Sequence, residues 1–142
     1  MTPPGFLKPV EVAAGLVFRD GKLLITQRKQ GQHLAGLWEF PGGKRESGET
    51  FEACLKRELE EELAISVSVK EFLIEISHTY PSKAVLLRFY LCEWKAGEPL
   101  PIGCQDLRWI NREELRHFPF PEADSQILEL LISEPWFWSI EK

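Results

Sequence analysis

The sequence lacks long apolar runs, a surplus of basic charge and any cysteine pairing pattern. Its apolar stretches fall far short of the roughly 20 residues that a membrane-spanning helix needs. Seventeen Lys and Arg face 22 Asp and Glu, for a net charge of −5. That balance argues against stable nucleic-acid binding, which draws on a basic surface to displace counterions. Only Cys54, Cys92 and Cys104 are present, an odd count without Cys-x-x-Cys spacing. Neither a disulfide framework nor a thiolate zinc site is expected, and the three read as free, small hydrophobes in a reducing compartment. His33, His78 and His117 are too scattered to form a ligand cluster by sequence. The opening Met1-Thr2-Pro3-Pro4-Gly5 has neither the basic start nor the apolar core of a secretory signal. There is no internal repeat and no low-complexity linker. The free cysteines and the absence of a signal-like start make a cytoplasmic protein the expectation.

What is present suits one α+β domain over residues 1–142, with 44% hydrophobic and 27% charged residues. Val10–Phe18 and Leu23–Thr26 are apolar runs joined through Asp20-Gly21, a strand hairpin signal. Gln30–Gly36 is a polar loop, followed by the short apolar piece Trp38-Glu39-Phe40 and by Pro41-Gly42-Gly43. A helix is expected from an N-cap at Thr50 to Leu63, with Phe51, Leu55, Leu59 and Leu63 as its buried stripe. Val67–Ile76 and Ala84–Trp94 read as strands turning through Tyr80-Pro81-Ser82-Lys83, and Leu107–Ile110 as one more. Asn111 is placed to cap a turn over Arg112–Leu115, and Glu122–Ile132 reads as a final helix. Strands on both sides of a long helix point to a mixed β-sheet between helices, an α/β/α sandwich.

The helix carries Arg57-Glu58-Leu59-Glu60-Glu61-Glu62. At about 100° per residue, Glu58, Glu61 and Glu62 share roughly 100° of arc beside the leucine stripe. Like charges at these spacings repel, and they lie toward the helix C-terminus, where the dipole disfavours them. A divalent cation would relieve that crowding. Oxygen donors alone select Mg²⁺ or Mn²⁺ over zinc. A merely solvated acidic face is the alternative, and the glycine-containing loop Gly42-Gly43-Lys44 with Gly48-Glu49, running straight into the helix, weighs against it.

Taken together, Gly43-x5-Glu49-x7-Arg57-Glu58-Leu59-x-Glu61-Glu62 closely resembles the Nudix box. Val12-Ala13-Ala14-Gly15, Ile25-Thr26-Gln27-Arg28, Trp38–Lys44, Leu107-Arg108-Trp109 and Phe118–Asp124 extend the resemblance to the MutT-like branch over most of residues 8–132. The resemblance implies a Nudix fold and Mg²⁺-dependent (or Mn²⁺-dependent) hydrolysis of a nucleotide substrate. MutT-like members convert nucleoside triphosphates to monophosphate and pyrophosphate, here with 8-oxo-dGTP or dGTP expected. Other substrates such as CTP, dCTP or a nucleoside diphosphate sugar are the alternative, and a non-catalytic Nudix-fold binding domain is a third reading.

Carried onto this chain, the resemblance implies the Gly42 carbonyl, Glu58, Glu61 and Glu62 as metal ligands. Glu58 also stands where a general base is often proposed, and Glu61 joins it among the catalytic residues. Arg57 and Glu49 occupy positions that pair and orient the helix. Lys44 and Arg28 are the cations expected near the phosphates, and Phe40, Tyr80 and Phe118 are candidate walls for the base. Asp124 aligns with a base-contacting Asn, or else merely sits in the first turn of the last helix, where the dipole favours it. Two positions depart from the pattern: Ala64 replaces a helix-ending Gly, and Gly103 replaces a glutamate, so that the chain either lacks this acid and rests on the box glutamates alone or uses Asp106 or a neighbour. The tail Trp136-Phe137-Trp138 reads as packing, or as an exposed patch for dimerisation or substrate capture, so a monomer or homodimer is expected.

Overall fold

The structure, a computed structural model, describes residues 8–139; the Met1–Gly5 segment considered above lies outside the described residues. Strand β1 (Val10–Arg19) turns into β2 (Lys22–Gln27) through Asp20 and Gly21, both at positive φ (53° and 76°). Two consecutive left-handed residues match the right-handed twist of a tight hairpin, and Asp-Gly supplies them at low cost. Strands β3 (Trp38–Glu39) and β4 (Gly42–Lys44) precede helix α1 (Phe51–Leu63). Strands β5 (Ser66–Tyr80) and β6 (Lys83–Ala96) follow, then β7 (Asp106–Ile110) and helix α2 (Ser125–Ser133).

These strands form one mixed sheet in the order β3-β2-β1-β6-β5, with β4 also on β1 and β7 on β2. The central pair β1–β6 is parallel, from Val10 opposite Val85 to Phe18 opposite Glu93, and the other pairs are antiparallel. Alternation along the strands divides the core in two. Ala13, Val17, Leu24, Tyr90 and Cys92 meet the Phe51-Leu55-Leu59-Leu63 stripe of α1. Ala14, Leu16, Phe18, Leu23, Ile25, Phe89 and Leu91 meet Ile127 and Leu131 of α2, with Phe137 and Trp138. The period of two within each strand therefore produces the sandwich read from the sequence.

The tail packs. Phe18 meets the Phe137 ring at 6.5 Å and the edge of Trp138 at 5.4 Å, and Trp138 Nε1 donates to Leu131 O at 2.9 Å. Trp136 is half-exposed, stacked on Phe137. Cys54 and Cys92 are buried and Cys104 half-buried, all three as free thiols. No helix among the described residues is long and apolar enough to cross a membrane.

Several boundaries differ from the sequence reading. The β5–β6 strands run further, leaving Pro81-Ser82 as the turn. The last helix begins at Ser125, preceded by a 3-10 turn at Glu122–Asp124. Gly42-Gly43-Lys44 is a strand rather than a loop, because β1 hydrogen-bonds β2 only at Phe18–Arg19 and leaves Val12–Ala14 free to pair with it. Helix α1 starts as expected, with Thr50 Oγ1 accepting from Ala53 N at 3.0 Å. Asn111 accepts from Glu114 N and donates its own N–H to the Glu114 side chain, both at 2.9 Å, starting the 3-10 turn Glu113–His117.

Ala64 ends α1 in the left-handed region (φ 58°, ψ 34°), where Cβ meets the backbone at a cost of about 1 kcal/mol. The helix end has kept the glycine-type geometry without the glycine. Ala64→Gly is therefore expected to raise unfolding stability by about 1 kcal/mol in urea titrations, with no change in hydrolytic rate.

Candidate active site

The organising group is the Arg57 guanidinium, on the second turn of α1. Its Nε and Nη2 donate to the two carboxylate oxygens of Glu49 at 3.1 and 2.7 Å. Nη1 donates to Glu58 at 2.9 Å and to Glu61 at 3.1 Å, and Nη2 also reaches Lys44 O at 3.1 Å. Glu49 in turn accepts from Glu46 N at 2.9 Å, so the loop ahead of the helix is closed onto the helix flank. Arg57 and this backbone bond together hold the Glu49 carboxyl down to about 2. Part of the carboxylate crowding expected to need a metal is thus relieved by one arginine.

The three box glutamates are not equivalent. Glu58 is 13% exposed and lies against Gly43, where a side chain would collide with its carboxylate. Burial raises its pKa, with Arg57 opposing that effect. Glu62 reaches the same cleft, and no hydrogen bond or ion pair holds its carboxylate among the described residues. Glu61 is 57% exposed and does not line the cleft, its carboxylate instead tied to Arg57. Among the described residues no three acidic, histidine or cysteine side chains converge as a ready-made metal cage.

The cleft itself is about 520 Å³, within the range of small-molecule sites. Gly42, Gly43, Lys44, Glu58 and Glu62 line one part of it, and Phe40, Tyr80, Lys83, Asp124, Arg28 and Glu39 another. Phe40 is buried, stacked with Phe120 at 5.1 Å. Asp124 stands at the N-cap position of α2 but makes no capping bond; it is 6% exposed and borders the cleft. Burial, reinforced by the Glu39 charge and opposed by Arg28, pushes its carboxyl up to about 7. The dipole-only account of Asp124 therefore gives way to a cleft-facing acid.

One expected contact is corrected, and another is found with its charge already paired. Phe118 does not line the cleft; it packs edge-on against Trp38 at 5.0 Å, supporting the wall from behind. Arg28 lines the cleft, yet its charge is already matched: Nη1 donates to both Glu39 oxygens at 2.8 and 3.0 Å, and Nε to His33 O at 2.6 Å. Lys83 supplies the cation that the sequence reading missed, its pKa lowered first by burial and then by the charges of Lys44 and Arg28. Glu39 was equally hidden, inside what read as a short apolar piece. Its half-buried place and its contact with Arg28 become visible only when β3 pairs with β2.

Residues 13–130 match the family model described as the NUDIX domain. The chain belongs to the Nudix family. Among curated Nudix relatives, the 8-oxo-dGTP diphosphatase of Haemophilus influenzae is 38% identical, covering 89% of this chain and 94% of the relative. The CTP pyrophosphohydrolase of Escherichia coli is 35% identical with the same coverage. A solution structure of MutT from methicillin-resistant Staphylococcus aureus superposes with a TM-score of 0.74 at 30% identity, covering 91% of this chain and 99% of that one. As a Nudix hydrolase the chain acts on diphosphate bonds, and its Arg57–Glu49 pair has the geometry that the box resemblance implies.

The buried Asp124 carries a signed pH dependence. Below about pH 4 its carboxyl is protonated folded or unfolded. Above that, the unfolded chain ionises while the native protein holds the proton up to about 7, so stability is lost progressively across this window. Urea unfolding should show Asp124→Asn gaining on the wild type from pH 4 to 7, with a constant gap above.

Proposed function

We propose that this Nudix hydrolase converts nucleoside triphosphates to monophosphate and pyrophosphate, with 8-oxo-dGTP and dGTP as its principal substrates. The observation that carries this reading is a single cleft bordered by oxygen donors in one part and by aromatic and buried acidic groups in another. The names of the Haemophilus influenzae relative and of several others, 8-oxo-dGTP diphosphatase, support the same substrate class. We place the enzyme in the cytoplasm, working as one domain.

The donor set fits a hard divalent ion: Glu58 and Glu62 border the cleft, Glu62 with no ion pair among the described residues, and Gly42 stands beside them. Glu58, Glu62 and the Gly42 carbonyl would hold Mg²⁺, or Mn²⁺, with Glu61 joining by leaving Arg57. When bound, the ion neutralises phosphate charge and acidifies a water.

The chain's own groups do the rest. Glu58, held ionised by Arg57 while burial raises its basicity, takes the proton from the attacking water. Water oxygen bonds to one phosphorus of the α–β bridge, the bond from that phosphorus to the bridging oxygen breaks, and the other product leaves with the electron pair, giving monophosphate and pyrophosphate. Lys44 and Lys83 offset charge on the phosphate chain, while Phe40 and Tyr80 flank the base. Asp124, titrating near neutrality, can accept a hydrogen bond from a base amine when ionised and donate one when protonated. Acceptance from an exocyclic amine also suits cytosine, which makes CTP the second substrate to examine beside the relationship to a CTP pyrophosphohydrolase.

Pyrophosphate release in Mg²⁺ across 8-oxo-dGTP, dGTP, CTP, dCTP, the remaining nucleotides and a nucleoside diphosphate sugar tests the reading. The 8-oxo-dGTP and dGTP rates should lead, and Glu58→Gln should lower kcat/KM by at least about 100-fold. No turnover of any triphosphate by the wild type overturns the assignment.

A further inference from the structure

The segment after β6 runs under the C-terminal end of α1 and is bonded to it. Leu100 N donates to Leu63 O at 2.9 Å, and Gly103 N donates to Glu62 O at 3.0 Å. These bonds satisfy two carbonyls that a helix end leaves open. Beyond them, Gln105 N donates to Gln27 O at 2.8 Å, and Lys29 Nζ reaches Ile102 O at 3.0 Å. The segment is thus fixed to the helix on one side and to the end of β2 on the other. Its Cα at position 103 cannot retreat from Glu62.

A Cβ at position 103 would fall inside the Glu62 carboxylate, with Oε2 and Cδ as the nearest atoms. The backbone of Gly103 is not in the left-handed region, so the absence of a side chain is not required by its dihedrals. What excludes a side chain is the Glu62 carboxylate itself. Asp106 does not replace the acid missing from position 103. Its Oδ1 accepts from Leu107 N at 2.8 Å, its Oδ2 lies 3.3 Å from Arg108 Nη2, and it does not line the cleft.

We propose that Gly103 is a positioning residue for Glu62: its bare Cα lets the helix carboxylate lie across the loop, in the space where a side chain at 103 would begin. The Glu62 carboxylate thereby takes the space beside the loop, and Gly103 and Glu62 act as a coupled pair. This inference rests on the proposed metal role of Glu62 for its effect on binding, but not for its geometry. The two closest obstructing atoms are the far end of a flexible side chain, with Glu62 Cβ in tight contact at 3.0 Å, so Gly103→Ala displaces the carboxylate and shifts the segment by a few tenths of an ångström while leaving the fold in place.

The test uses the full chain, with Mn²⁺ as the probe. Gly103→Ala should weaken Mn²⁺ binding about tenfold, read by the EPR signal of free Mn²⁺, with the melting temperature nearly unchanged. In a Glu62→Ala background, which removes the obstructing carboxylate, adding Gly103→Ala should change Mn²⁺ affinity no further. Equal losses in both backgrounds, or no loss in either, overturn the coupling. The metal-free ¹³C resonance of the Glu62 side-chain carboxyl supplies an arm independent of metal and of turnover. It should shift in Gly103→Ala; an unchanged resonance overturns the displacement. Failure of the wild type to bind Mn²⁺ or hydrolyse any nucleotide, with that shift present, would refute the proposed function and leave the Gly103–Glu62 packing standing.

Discussion

Everything in the cleft depends on one guanidinium. Arg57 lies between the loop that precedes α1 and the acidic flank of that helix, donating to Glu49, Glu58, Glu61 and the Lys44 carbonyl. A lysine could supply the charge but not the fork. Two donors in one plane fix Glu49, while the third nitrogen spans two carboxylates a helical turn apart. The pairing sets which glutamates are spoken for. Glu49 and Glu61 are held, Glu58 is held and buried, and Glu62 is left to the cleft.

The second constraint is the divergence of β1 and β2. They pair only beside their turn, and β4 enters the gap further along β1, tied in by Gly15 N donating to Pro41 O at 2.8 Å. Gly43 then passes directly beneath Glu58, at a separation that a side chain would forbid. The cleft exists because a sheet opens and a glycine strand occupies the opening. The aromatic wall follows from the opposite face, where Phe40 packs with Phe120 and Phe89.

Much of this was legible in the residues. Leucines spaced by four, a threonine cap and an Asp-Gly turn are local signals, and local hydrogen bonds honour them. The Arg57–Glu49 pair was legible through the family resemblance, since partners eight residues apart across a loop follow no helix rule. What escaped was decided by distant chain. Lys83 and Glu39 come to the cleft from separate strands, and nothing in their neighbours marks them. Phe118 looked equivalent to Phe40, yet it packs edge-on against Trp38 and does not line the cleft. Gly103 looked like a loss until the carboxylate of Glu62 was found in its place. Sequence spacing describes faces of helices well, but it cannot say which side chain reaches a shared volume first.

The parallel pairing of β1 with β6 carries a consequence for how the molecule comes into being. Val10 meets Val85, and Phe18 meets Glu93, so the middle of the sheet joins segments made far apart during synthesis. A nascent chain that has emerged only through α1 has no central partner for β1 and no far edge to the helix platform. Such long-range closure slows folding and leaves an open strand edge exposed meanwhile. The hydrolytic cleft is thus unavailable to a partial chain: Glu58 and Glu62 are translated before the β6 strand that completes the sheet beneath them, and Asp124 follows later still.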